Sequence, residues 1–255
     1  MHGDLWRCAR CGTVAQPSLP AGGRLVDLYR DTDDAAYLAE EAGRRATSRR
    51  LLELVERHAA PGRLLEVGCG HGLLLDEARR RGWSALGLEP SAASRAHARD
   101  ALGLEVLDST LGAFDGGPFE AVVLADVLEH LDDPVGAVRA CAALLRDGGV
   151  LLVVTPDPGS ATARVAGARW WGFLPAHTFL LPRRTLRAVL AGEGLEPVED
   201  RGLRRTFALR YWLDGLGQRS GPAARALGAL ERTPLARVPV TLSLGDERVV
   251  LARKS

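Results

Sequence analysis

The stretch LLEVGCGHG, from Leu64 to Gly72, constrains this chain more than any other. A short apolar run ends in Glu66 and Val67, and glycines then fall at Gly68, Gly70 and Gly72. Such a run, bounded by glycine, reads as a buried strand, Arg63–Val67. The pattern after it, Leu73–Arg81, reads as a helix closed by Gly82. Glycine permits positive φ and removes the Cβ that would hold a ligand away from the main chain. The start of the next helix adds unpaired N–H groups and the positive end of a dipole. In doubly wound sheets, ligands bind beyond the carboxyl ends of the strands, where the strand order reverses.

The alternation continues on both sides of this turn. Upstream, Asp34–His58 reads as a helix ended by Pro61-Gly62. Downstream, Ser84–Leu88 is a strand and Ser91–Leu102 a helix with Ser91 as its N-cap. Leu104–Leu107 and Glu120–Ala125 read as strands. Pro134–Leu145 reads as a helix with proline in its first turn, and Gly149–Thr155 as a buried strand. Short connections between alternating elements predict an α/β fold, a parallel sheet covered by helices. After Thr155 the rhythm loosens. RWWGFLPAHTFLLP, Arg169–Pro182, is an aromatic loop. Arg183–Ala191 reads as a helix and Leu195–Asp200 as a strand. Residues 206–240 hold amphipathic helical pieces, and Asp246–Arg253 is a last strand, a candidate antiparallel edge.

With 33 Lys and Arg against 32 Asp and Glu, the formal charge is +1. Bulk electrostatics therefore offers nothing to a polyanion, and no basic stripe points to nucleic acid. No run approaches the roughly 18 apolar residues of a membrane span. The opening residues lack the apolar core of a signal peptide, so the expectation is a cytoplasmic protein. Cys8, Cys11, Cys69 and Cys141 do not resemble a disulfide framework. Cys8-x-x-Cys11 followed by Gly12 resembles one zinc knuckle, but structural zinc takes four ligands. His2 would add a third and no fourth follows, so no metal is expected.

The glycine spacing selects a ligand class. A dinucleotide fingerprint would place its third glycine at residue 73, where this chain has leucine. The pattern Glu66-x-Gly68-x-Gly70-x-Gly72 instead resembles the first motif of the class I S-adenosylmethionine (SAM) dependent methyltransferases. ALGLEPS, ending at Ser91, FEAVVLADVLEHLDDP, Phe119–Pro134, and LLRDGGVLLVVTPD, Leu144–Asp157, resemble later motifs of that family in order. The likeness covers roughly residues 24–200 and is nearest to the small-molecule group.

That resemblance implies a doubly wound, mostly parallel seven-stranded sheet of the Rossmann-like class I kind. It implies one methyltransferase domain over residues 34–255, with insertions near 160–182 and 206–240. Residues 1–33 would be an irregular segment carrying the lone Cys8/Cys11 pair. The implied cofactor is SAM, with Glu66, Gly68, Cys69, Gly70 and Gly72 along its methionine side. Glu89 would hold the ribose hydroxyls, Asp108 and Ser109 would border the adenine, and Ala125 and Asp126 would close the methionine end. Cys69 reads as a small packing residue rather than a nucleophile.

The implied reaction is methyl transfer to a small-molecule acceptor, at oxygen. His130, His177 and Asp126 are the candidate bases, and each histidine also has a purely structural reading. Trp170, Trp171, Phe173, Phe179, Tyr211 and Trp212 would close over the acceptor, pack the insertions, or touch a membrane surface peripherally. Two other functions remain open: a non-catalytic SAM-binding regulator or scaffold, and an NAD(P)-dependent oxidoreductase.

Overall fold

The computed structural model describes residues 5–16, 38–217 and 233–255. Two paired strands, β1 (Trp6–Arg7) and β2 (Val14–Ala15), precede helix α1 (Glu41–Glu56). Then come β3 (Arg63–Val67), α2 (Leu73–Arg80), β4 (Ser84–Leu88), α3 (Ala92–Ala96), β5 (Glu105–Leu107) and β6 (Phe119–Ala125). They are followed by α4 (Pro134–Leu144), β7 (Leu145–Pro156), α5 (Ala161–Ala166), β8 (Phe179–Leu180), α6 (Arg183–Gly192) and β9 (Leu195–Gly202). The chain closes with β10 (Arg205–Ala208), α7 (Leu209–Gly217), β11 (Pro239–Leu242) and β12 (Glu247–Lys254).

Seven strands form the central sheet, in the order β5-β4-β3-β6-β7-β12-β9. β5, β4, β3, β6 and β7 run parallel, while β12 is antiparallel to both neighbours. The order reverses between β3 and β6, which opens a crevice at their carboxyl ends. Both faces of the sheet are covered, so the strands are continuous apolar runs rather than alternating ones. Leu64, Val123, Leu152 and Leu251 pack on one face with Leu52 and Val55 of α1 and Leu75 of α2. Their neighbours Leu65, Val122, Leu151 and Val250 pack on the other with Val138 of α4 and Leu186 and Leu190 of α6. No helix among the described residues is long and apolar enough to cross a membrane.

Several expectations need correction. The last strand is antiparallel but not an edge: β12 inserts between β7 and β9, and β9 is the edge. β7 starts at Leu145, because Leu145 already pairs with Phe119 before a register shift admits the Asp147-Gly148-Gly149 turn. The helix after Ser91 is α-helical only to Ala96 and widens into a π turn over His97–Ala101. Ser91 does cap it, accepting from the Ser94 N–H at 3.3 Å.

The opening segment is not wholly irregular. Cys8 N–H donates to Thr13 O and Gly12 N–H to Cys8 O, closing a knuckle whose strands pair with each other. β2 also pairs with β8, so a three-stranded sheet joins this segment to the aromatic insertion. The second insertion contains a strand pair, β10 with β11, beside α7. Its helical pieces over 218–232 lie outside the described residues, as do residues 17–33 of the opening segment and the first turn expected for the Asp34–His58 helix.

Candidate active site

The turn after β3 forms the floor of the crevice. Gly68, Gly70 and Gly72 all have positive φ, at 65°, 53° and 79°. They serve different ends. A Cβ on Gly72 would lie 2.6 Å from Leu104 Cδ1, and one on Gly68 would lie 2.7 Å from Val127 Cγ2, so neighbouring side chains require those two glycines. A Cβ on Gly70 would meet nothing within 4 Å. Only there does the bare main chain face open space.

Two carboxylates flank this opening. Glu89, at the end of β4, accepts from Gly70 N–H at 2.8 Å and from Ser91 N–H at 2.7 Å, one bond to each oxygen. Each oxygen keeps a further lone pair for a hydroxyl donor. Burial raises the Glu89 carboxyl, against the two amides and Arg95. Glu66 lines the cleft yet is only 5% exposed, and its Oε2 has no hydrogen-bond partner. Burial, with the nearby Glu89 charge, pushes its carboxyl well above the ordinary range. A buried acceptor left unsatisfied costs about 1–3 kcal/mol, so the cleft is electrostatically prepared for a donor or a cation.

The opposite wall comes from the end of β6 and from the second insertion. Asp126 sits at φ 57°, a strained value for a residue with a side chain. Its main-chain N–H donates to Val154 O at 3.0 Å. Arg205 of β10 donates to both Asp126 oxygens and also binds Glu247 of β12. One cation thus joins three elements above the sheet. Arg44, Thr47, Ser48 and Leu51 of α1, with Phe207 of β10, complete the wall. Their spacing of three, four and seven residues puts them on one face of α1.

Beyond Asp126 lies a second cluster. His130 Nδ1 donates to Ala176 O at 2.9 Å and His177 Nδ1 to Gly172 O at 2.7 Å, and the rings meet edge-on with centroids 4.8 Å apart. Burial lowers His130. Burial, with His130 beside it, lowers His177 to about 4. Glu129, 1% exposed, accepts from Thr155 Oγ1 at 3.0 Å. Burial and the Asp126 charge raise its carboxyl to about 8. The aromatic loop is tied down by Asp246, whose Oδ2 accepts from both indoles, Trp170 at 2.9 Å and Trp171 at 2.6 Å.

The predicted residues therefore separate into three places. Glu66, Gly68, Cys69, Gly70, Ala125 and Asp126 line one cleft. Glu89 grips its floor at Gly70, while Gly72 starts α2 and packs against Leu104 rather than facing the cleft. Asp108 and Ser109 stand past β5, with Asp108 held by Arg95 at 2.9 Å. His130 and His177 form their own pair, and neither lines the cleft. Cys69 is buried in the core, as a packing residue should be, and burial raises its thiol.

Of the three roles open to the six aromatics, closing over an acceptor in this cleft is not the one observed, since none of them lines it. Trp170 and Phe173 pack with Val14 and Leu180, while Tyr211 and Trp212 stack on Phe207. The sequence reading missed Arg44, Thr47, Ser48, Arg205 and Phe207. The polar face of α1 was visible in its spacing. Arg205 carries no local signal, because its partners lie 79 and 42 residues away.

A family model described as a methyltransferase domain matches residues 38–200. The chain belongs to that methyltransferase family. Its sheet order and covering helices are those of the Rossmann-like class I methyltransferases, whose cofactor is SAM.

Among curated relatives, this methyltransferase is 33% identical over 156 residues to a ubiquinone biosynthesis O-methyltransferase of Dinoroseobacter shibae, covering 55% of this chain and 62% of that protein. It is 36% identical over 132 residues to the protein of that name from Xanthomonas campestris pv. campestris, covering 48% and 55%. The chain thus spans roughly three-fifths of the length of the curated relatives it matches.

Among solved structures, it is similar to a SAM-dependent methyltransferase of Thermotoga maritima, described as a possible histamine N-methyltransferase. That match has TM-score 0.58 and 17% identity, over 91% of this chain and 97% of the other. It is also similar to the 1,6-didemethyltoxoflavin-N1-methyltransferase of Burkholderia thailandensis, with bound S-adenosylhomocysteine (TM-score 0.58, 15% identity, 98% of each chain). At these identities the structural likeness speaks for the fold alone.

Proposed function

We propose that this chain methylates an oxygen of a small molecule, using SAM held across the crevice between β3 and β6. The observation that carries this reading is the open space over Gly70, between the unsatisfied Glu66 Oε2 and the Glu89 carboxylate. Glu66 and the cleft faces of Gly68, Gly70, Ala125 and Asp126 would hold the amino-acid end. Cys69 would support the turn from the core side. Glu89 would take the ribose hydroxyls through its remaining lone pairs, and Asp108 and Ser109 would border the adenine. Gly72 would contribute by starting α2 toward the ligand.

Bound SAM supplies an electrophilic methyl on a sulfonium that departs as a neutral thioether. The protein's share is alignment and exclusion of water, which in well-aligned cases is worth roughly 7–11 kcal/mol. Of the three candidate bases, Asp126 lines the cleft and would face the acceptor side, whereas His130 and His177 hold their Nδ1 protons on carbonyl groups outside it. The curated O-methyltransferase relatives favour oxygen over nitrogen as the acceptor atom. Four free thiols suit a reducing cytoplasm. The test is turnover of methyl-labelled SAM against a panel of phenolic, sugar and aliphatic hydroxyl acceptors. Label in an ether product is expected. Tight S-adenosylhomocysteine binding without turnover on any acceptor would instead indicate a regulatory SAM-binding protein.

A further inference from the structure

We propose that Arg95 positions the cofactor's nucleoside, by holding the ribose acid Glu89 and the adenine-side Asp108 at a fixed separation. The inference rests on the cofactor placement proposed above. Arg95 acts through these two acids, so it is a positioning residue.

The need for such a tie comes from the sheet. β5 is three residues long and lies at the sheet edge, with β4 on one side of it. Their ladder ends at the pair Leu88 and Leu107. Glu89 follows the first of these directly and Asp108 the second, so both acids leave neighbouring strands at the same level. A short edge strand opens easily, so the sheet alone does not fix the loop that follows it.

Arg95 of α3 spans the two exits. Its Nη1 donates to Glu89 O at 2.8 Å and to Pro90 O at 2.7 Å, and its Nη2 to Asp108 Oδ2 at 2.9 Å. The planar guanidinium makes this a rigid bridge, which a lysine cannot reproduce. The arginine side chain is 12% exposed, so solvent screens it little. The same helix start also orients the Glu89 carboxylate, through the Ser91 N–H on Oε1. Four residues on, Arg99 Nε donates from the π turn to Val106 O at 2.9 Å and ties the helix to β5 a second time.

The bridge also carries charge. Burial raises the Glu89 carboxyl, and the Ser91 and Gly70 amides and then the Arg95 charge oppose that rise. Glu66 and Cys69 face Glu89 from β3 and the turn after it, Arg95 faces it from α3, and Asp108 past β5 lies on the other side of Arg95. Without the Arg95 cation, Glu89 takes up its proton at higher pH and there loses its charge-assisted bond to a ribose hydroxyl.

The experiment is calorimetry of S-adenosylhomocysteine binding from about pH 8 down to about pH 5, on the full chain and its variants. Arg95→Gln should weaken binding by about tenfold or more at about pH 7.5, and its affinity should begin to fall at a higher pH than that of the wild type. Arg95→Lys restores the charge without the fork: its pH profile should be the wild-type one and its affinity should stay below wild type. Arg99→Met loses a contact to the same helix but touches neither acid, so its pH profile should also be the wild-type one, whatever its melting temperature. Glu66 titrates in every variant, so differences between them belong to the substituted arginine. Arg95→Gln binding within about twofold of the wild type at every pH would overturn the proposal. So would a loss of equal size at every pH, or wild-type affinity in Arg95→Lys, which also decides the matter should Arg95→Gln not fold. Glu89→Gln on the same ligand separates the two readings. If it binds as the wild type does, the cofactor placement falls and the role of Arg95 with it; if it binds weakly while Arg95→Gln is unaffected, only the role of Arg95 falls.

Discussion

Arg205 Nη2 lies 2.7 Å and 2.6 Å from the two carboxylate oxygens of Asp126. The arginine belongs to the second insertion, and the aspartate to the strained turn after β6. This contact fixes one wall of the cleft to a hairpin outside the central sheet. Arg205→Ala leaves Asp126 and Glu247 facing each other without their shared cation. Breaking a buried charge pair costs about 3–5 kcal/mol, and the 40% exposure of Asp126 brings the expectation toward about 2–4 kcal/mol. Urea denaturation checks the value, and an unchanged midpoint would show that the cluster is not coupled to folding.

Asp246 organises the first insertion. Asp246→Ala removes the acceptor of two indole N–H groups, one on the fully buried Trp170. The expected cost is about 1–3 kcal/mol per stranded donor, with loss of near-ultraviolet tryptophan dichroism. Preserved dichroism would mean that the loop is held by its apolar contacts with Val14 and Leu180 instead.

Much of this arrangement was legible in the sequence, for reasons that differ by residue. The Leu64–Val67 run, the three glycines and the Asp126 turn are local signals, since burial on both faces and positive φ leave marks within a few positions. Ser91 was readable as a cap because its partner is three residues on. The edge position was not readable, because nothing in Glu247–Lys254 states which two strands will flank it. The choice among the three roles of the aromatics was not readable for a similar reason. Trp170 is a core residue whose partners, Val14 and Asp246, lie far away in the chain. His130 and His177 were each visible, but their edge-on contact forms only when the aromatic loop returns to the turn after β6.

Glu66 gives a pH signature. Its folded-state pKa lies well above the unfolded value, so the folded chain holds this proton more tightly. That stabilisation is complete below about pH 4 and is lost as pH rises through the folded pKa. Glu66→Gln is neutral throughout. Its stability relative to the wild type should therefore increase as pH rises from about 5 to 8, in denaturant midpoints taken across that range. A gap independent of pH would mean that Glu66 is ionised and satisfied. The same variant should bind S-adenosylhomocysteine more weakly, because the amide keeps one acceptor oxygen but can no longer ionise to meet the ligand's ammonium group.

Glu89→Gln tests the neighbouring carboxylate. The amide keeps one acceptor oxygen and presents donors where Gly70 or Ser91 also donates. Loss of charged hydrogen bonds of this kind costs about 1.5–3 kcal/mol, or about 10–150-fold in S-adenosylhomocysteine affinity by calorimetry. Unchanged affinity would remove Glu89 from the ribose site.

The most direct measurement is calorimetry of S-adenosylhomocysteine binding to Gly70→Ala, paired with its melting curve. The added methyl would touch no protein atom within 4 Å, so the fold should survive with a penalty of about 1–2 kcal/mol for the left-handed backbone. Affinity should nevertheless fall by tenfold or more, roughly 1.4 kcal/mol, because that methyl occupies the space against which the ligand lies. A variant that stays folded and binds S-adenosylhomocysteine as tightly as the wild type would contradict a cofactor resting on the main chain at Gly70.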